Sequence, residues 1–201
     1  GISVNPTVPD RVVVTTDHTA MPNGIALSAD GGATWRWPVE GSETKIRAPF
    51  RAPSDPNVLY ASASTAILVS RDDGESWEIK LADLVEESFD ELDVHAVDPE
   101  DANLFYFSRL GAQGRWLYVS RDGGDSSEVI LRPDTWEFTS ATVIATDAMG
   151  GRMLIAGTSF GDGFRSVDGG ENWDTFFTDV ESIDCLSPDF NDVGTAWVCS
   201  N

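Results

Sequence analysis

An eight-residue pattern returns four times along the chain: SADGGATW from Ser28, SRDDGESW from Ser70, SRDGGDSS from Ser120 and SVDGGENW from Ser166. The starts lie 42, 50 and 46 residues apart, a spacing that marks an array of similar supersecondary units. In each copy a Ser and an Asp two residues on can bond the backbone of a tight turn, while Gly32, Gly74, Gly124 and Gly170 relieve its conformational restriction. Trp35, Trp77 and Trp173 open the strand that leaves the turn; in the third copy Ser127 stands in that place.

The same cycle of short strands can be drawn around every turn. Its clearest copy runs from Ile46–Pro49 through the SDPN turn to Val58–Ala61, then Ile67–Ser70, then a strand around Trp77–Ile79. The next copy reads VHAVDPEDANLFYFS, WLYVS and EVI, beginning at Val94. Residues 81–93, LADLVEESFDELD, repeat apolar positions at near-helical spacing and read as an insertion between units. The cycle predicts an all-β protein, a β-propeller of four-stranded antiparallel blades: four complete units plus a half blade, over residues 1–201 as a single domain or a propeller segment. The units are 1–41, 42–90, 91–138, 139–179 and, for the half unit, 180–201.

S-x-D-x-G-x-x-W resembles the Asp-box, or bacterial neuraminidase repeat. Its flanks, SDPNVLYAS at Ser54–Ser62 and GFRSVDGGENW at Gly163–Trp173, look most like propellers of xyloglucanase-like glycoside hydrolases, sortilin-like receptors and photosystem assembly factors. The resemblance implies a structural box: Ser28, Asp30, Gly32 and Trp35; Ser70, Asp72, Gly74 and Trp77; Ser120, Asp122 and Gly124; Ser166, Asp168, Gly170 and Trp173. It also implies that the boxes lie on the periphery, away from the ligand-binding face, and it covers enzymes and non-enzymes alike.

Charge narrows the partners. The 201 residues hold 34 acidic and 13 basic side chains, a formal net charge of -21, which repels phosphate backbones and argues against nucleic acid. Lys occurs only at Lys45 and Lys80, so the surface is acidic and lysine-poor. Such a surface suits either a high-salt habitat, where repulsion is screened, or an ordinary acidic secreted domain. No run of about 20 apolar residues suggests a transmembrane segment.

Catalytic residues do not emerge from the motifs. A nucleophilic Ser needs a general base, and neither His18 nor His95 recurs with the repeated serines. FRAP at Phe50–Pro53 echoes the arginine motif of sialidases, but Arg51 falls at the end of a unit's first strand. A glycoside hydrolase needs two carboxylates about 5 to 10 Å apart, and an excess of acidic residues singles out none. The reading is therefore a non-catalytic binding or structural module, extracellular, on a cell surface or in a virion. A glycoside hydrolase fragment is its alternative. Aromatic candidates for a glycan ligand are Trp136, Phe160 and Trp37; Trp37 alternates with Trp35, so core packing is its other reading. No metal or cofactor is expected.

The half unit supplies only Ser182–Ser187 and Thr195–Ser200. A protein partner, or the remainder of a longer chain, is expected to complete the half blade at 182–200, since soluble proteins avoid an apolar unpaired edge. Cys185 and Cys199 fall on its two strands, either bridged in an oxidising compartment or present as two buried thiols.

Overall fold

The computed structural model describes residues 1–16, 24–40, 45–47, 49–84, 91–112, 114–132, 138–146, 152–158, 161–177, 183, 185–188 and 196–199. These form four four-stranded antiparallel sheets and one two-stranded sheet. The first sheet contains β1 (Ile2–Val4), β2 (Val12–Thr16), β3 (Gly24–Ser28) and β4 (Arg36–Glu40). The second holds β5 (Phe50–Arg51), β6 (Leu59–Ser62), β7 (Ile67–Ser70) and β8 (Glu78–Lys80). The third holds β9 (Glu91–Val97), β10 (Phe105–Gly111), β11 (Gly114–Ser120) and β12 (Glu128–Leu131). The fourth holds β13 (Phe138–Thr146), β14 (Arg152–Thr158), β15 (Asp162–Ser166) and β16 (Asp174–Phe177), and the half-sheet pairs β17 (Cys185–Pro188) with β18 (Ala196–Cys199). Within every sheet the strands lie in chain order, as a meander gives.

Two sequence expectations shift. The strand drawn at Ile46–Pro49 begins instead at Phe50, because Pro49 has no N–H for the ladder; upstream, Arg47 N donates to Ser62 O at 2.9 Å. In the 81–93 segment a 3-10 turn at Ala82–Leu84 is followed, beyond 85–90 which lie outside the described residues, by strand from Glu91.

Central strands carry apolar residues on both faces, so the sheets stack and share cores. Val13, Ile25 and Leu27 of the first sheet pack with Leu59, Ala61 and Leu68 of the second and with Ile46, which precedes it. Between the second and third sheets the core is aromatic: Tyr60 and Phe105 lie 4.3 Å apart by ring centroid, Phe105 and Phe107 5.6 Å, and Phe107 and Tyr118 5.3 Å. The buried Tyr60 hydroxyl donates to Ala102 O of the next sheet at 2.6 Å. Leu104, Tyr106, Leu117 and Val119 then meet Leu154 and Ala156 of the fourth sheet. Beyond it, Ile183 is fully buried and lies so close to Gly157 that a β-carbon there would stand 2.4 Å from it.

Alternating strand direction gives each sheet two distinct ends. One carries the turn between first and second strands and the box between third and fourth. The other carries the hairpin between second and third strands and the entry into the first.

Candidate functional site

At the box end the chemistry is repeated. Ser28 Oγ donates to Asp30 Oδ1 at 2.8 Å and accepts from Gly32 N at 2.8 Å. The other oxygen of Asp30 takes the Thr34 hydroxyl at 2.6 Å, and Thr34 N donates to Oδ1 at 2.8 Å. Ser70–Asp72–Ser76, Ser120–Asp122–Ser126 and Ser166–Asp168–Asn172 repeat this network. Bonds from Thr34 and Ser28 hold Asp30 down at about 2; those from Ser126 and Ser120 do the same for Asp122, and those from Asn172 and Ser166 for Asp168. For Asp72, burial opposes the charged form, but bonds from Ser76 and Ser70 outweigh it and lower its pKa. Box indoles donate to the carbonyls of Gly32, Gly74 and Gly170 at 3.0, 3.2 and 3.1 Å.

The fourth residue of each box ties the turn to its own sheet. Gly31, Asp73, Gly123 and Gly169 donate through N–H to the carbonyls of Asp10, Asn57, Asn103 and Arg152 at 2.8–2.9 Å. This position is left-handed in every copy, with φ of 70°, 59°, 74° and 74°, a region that favours glycine. Asp73 occupies it because its carboxylate is held by Arg11 at 2.7 Å, by Asn5 at 2.9 Å and by buried Arg51. Arg51, the residue that echoes the sialidase motif, thus points its guanidinium at Asp73 and at Pro56 O, at the box end.

At the opposite end lies a cluster that does not repeat among the described residues. Arg47, just before the second sheet, reaches Asp93 at 2.6 Å and Glu91 at 2.8 Å on β9. Arg115, entering β11 after its hairpin, bonds Asp93 at 3.0 Å and Ser108 Oγ at 2.9 Å. His95 Nε2 lies 2.8 Å from the same hydroxyl. Burial pushes His95 down to about 3, with Arg115 and Arg47 adding to the effect. Burial also raises Asp93, against the pull of both arginines.

Although Ser108 and His95 are within bonding distance, they do not make a working nucleophile and base. Ser108 is fully buried, and an imidazole held at about 3 takes no proton near neutrality. The two arginines and two carboxylates neutralise one another. Sequence reasoning passed over Arg47, Glu91, Asp93, Ser108 and Arg115 because nothing in the repeat marks them. Their available signal was scarcity: basic residues are few, and these two arginines flank strands away from any box.

Of the aromatic candidates, Trp37 is half-buried on β4, whereas Trp136 and Phe160 lie outside the described residues. Strand register sets Cys185 opposite Cys199. Among the described residues no group of His, Cys, Asp or Glu could hold a metal ion, and no helix is long and apolar enough to cross a membrane.

Solved structures share this stack of sheets. A GH74 xyloglucanase from Xanthomonas campestris superposes with a TM-score of 0.70 over 98% of this chain at 16% identity. YCF48 from Cyanidioschyzon merolae does so at 0.59 over 98% at 16% identity, and YCF48 bound to D1 peptide at 0.60 over 94% at 16% identity. The fold is that of the Asp-box β-propellers. The chain spans 34% of the xyloglucanase, and 62% and 57% of the two YCF48 chains. No protein-family model and no curated protein matches the sequence. With that fold the described residues form four four-stranded blades and a two-stranded half blade, and the boxes occupy equivalent positions at one end of the blades.

Proposed function

We propose that this propeller segment, a single domain, is a non-catalytic binding or structural module of an extracellular or surface-associated assembly such as a virion. The supporting observation is that Arg47 and Arg115 engage Glu91 and Asp93 in ion pairs, while burial holds the adjoining His95 down to about 3. Protein or glycan ligands are taken at loops away from the boxes, with Trp136, Phe160 and Trp37 as aromatic contacts. Turnover assays on xyloglucan oligosaccharides and sialosides, run beside glycan and protein binding assays, test this reading. Binding without hydrolysis is expected. The xyloglucanase likeness favours a second reading, a glycoside hydrolase fragment, and hydrolysis abolished by Glu91→Gln would establish it in place of the first.

An acidic surface of net charge -21 fits a high-salt setting, where screening relieves self-repulsion. Thermal midpoints are expected to rise from low to molar monovalent salt; flat or falling midpoints remove the habitat. The opposed positions of Cys185 and Cys199 suit a bridge in an oxidising compartment, and intact mass before and after reduction reads it directly.

A further inference from the structure

Two blade junctions are built from the same hydrogen-bond donors, and they differ in whether the next blade supplies acceptors. Tyr60 and Tyr106 hold the same register place on the second strands of their sheets, one residue after the partner of the box serine. Between the second and third blades the Tyr60 hydroxyl donates to Ala102 O at 2.6 Å, and Arg71, the second box residue, donates to Asn103 Oδ1 at 2.9 Å. Arg71 also lies over Gly123, where an added β-carbon would collide with its guanidinium. Each donor has its acceptor, and this junction is filled.

Between the third and fourth blades the donors return without those acceptors. Gly169 N donates to Arg152 O as Gly123 N does to Asn103 O, so a cation stands where the third blade has Asn103. Two guanidiniums cannot bond each other, and Arg121, the counterpart of Arg71, pairs with Glu128 on its own blade. The space above Gly169 stays open: among the described residues, an added β-carbon there would meet Arg152 alone, at 3.8 Å. A cavity of about 210 Å³ remains, with Tyr106, Arg121, Arg152, Asp168 and Glu171 in its wall. One water takes roughly 30 Å³, so there is room for a small ligand. Tyr106 is 2% exposed, and its hydroxyl has no hydrogen-bond partner among the described residues. Burial pushes it up to about 12, which keeps it a proton donor at neutral pH. Arg152 bonds Asp98 through Nε at 2.6 Å, and its terminal nitrogens are left for a ligand. Of the carboxylates in the wall, Asp168 is held by Ser166 and Asn172 of its own turn, and Glu171 is exposed.

We propose that this cleft binds a small oxyanion, a phosphate or a carboxylate, held between Arg121 and Arg152 with the Tyr106 hydroxyl as a third donor. The ligand brings the oxygens that Ala102 and Asn103 bring one junction earlier. The site uses positions that the box leaves variable, and it is distinct from the loops at the opposite end of the blades.

Calorimetric titration of the full chain with sodium phosphate and, separately, sodium citrate tests it, in molar sodium chloride so that ionic strength stays nearly constant. Saturable binding of at least one is expected, and which one binds separates a tetrahedral anion from a carboxylate. Arg121→Gln is expected to weaken binding about tenfold or more. Glu171→Gln is expected to strengthen it, since a competing negative charge is removed. Tyr106→Phe should weaken binding without lowering the thermal midpoint of the anion-free protein, whereas Tyr60→Phe, which loses its bond to Ala102, should lower that midpoint. Circular dichroism establishes that each variant folds. Binding of neither anion, binding untouched by Arg121→Gln, or binding weakened by Glu171→Gln overturns the proposal. A midpoint that falls as far for Tyr106→Phe as for Tyr60→Phe overturns it too, because the hydroxyl would already have its partner.

Discussion

The two ends of the blades solve the same problem, how to finish a strand, by opposite means. At the box end a local code does it: hydroxyl, carboxylate and left-handed backbone lie within eight residues, and the answer is reused in each blade. At the opposite end, Asp93 is held by Arg47 and Arg115, which lie 46 and 22 residues away. Repetition here marks what holds the fold. The unrepeated end is where side chains are free to be chosen for something else.

The sharpest exception to this division is Asp73, a box residue that depends on distant partners, and it gives the largest expected effect. Asp73→Ala leaves Arg51 buried without its carboxylate and keeps a β-carbon in left-handed backbone. A loss of about 3 kcal/mol or more is expected in denaturant titration. Asp73→Gly loses the same carboxylate but relieves the left-handed strain, and should fare better than the alanine variant by about 1 kcal/mol. Equal losses for the two would mean that the left-handed geometry costs nothing here.

Titration separates the ends further. His95 binds no proton in the folded state until about pH 3, whereas the unfolded side chain takes one near 6.5. The unfolded state therefore binds more protons between these values, and stability falls as pH drops through that window, by about 1.4 kcal/mol per pH unit at most. His95→Gln should flatten the slope between pH 5 and 6.5. The box carboxylates act lower. Asp30, Asp122 and Asp168 are lowered from 3.8 to about 2, so the stability they contribute is present above pH 4 and is lost on acidification toward 2. A His95→Gln slope identical to that of the unmodified protein would mean that the ring titrates freely.

The smallest effect is expected from Asp72→Ala. It removes bonds to Ser76 and Ser70 from a well-exposed turn, which costs about 1 kcal/mol and leaves ligand binding untouched once folding is matched. A binding defect that persisted at equal foldedness would give the boxes a part in recognition.

Most of the fold was legible because the boxes are local in sequence. Ser28, Ser70, Ser120 and Ser166 each close a turn with a residue four positions on, and the β-branched and aromatic strands between them alternate with Asp- and Pro-rich turns. Strand starts were less legible where the chain itself interferes, as at Pro49. The cluster at Arg47, Asp93 and Arg115 was invisible because it is assembled by stacking two blades, and pairings of that kind leave no spacing to read. The exposure of Trp35 was hidden for the same reason: its box matches its sisters in sequence, and only the packing around it sets it apart.

The aromatic junction between Tyr60, Phe105, Phe107 and Tyr118 has a kinetic consequence. In an array where each blade touches only its neighbours, order spreads outward from the junction that forms most readily and dissolves inward from the margins. The ring-rich seam joins the second and third blades, whereas Ile2, Val4 and Trp35 of the first blade are exposed. Native-state hydrogen exchange should therefore show a gradient, slowest at β6 and β10 and fastest at β1, with the outer blades fraying before the centre yields.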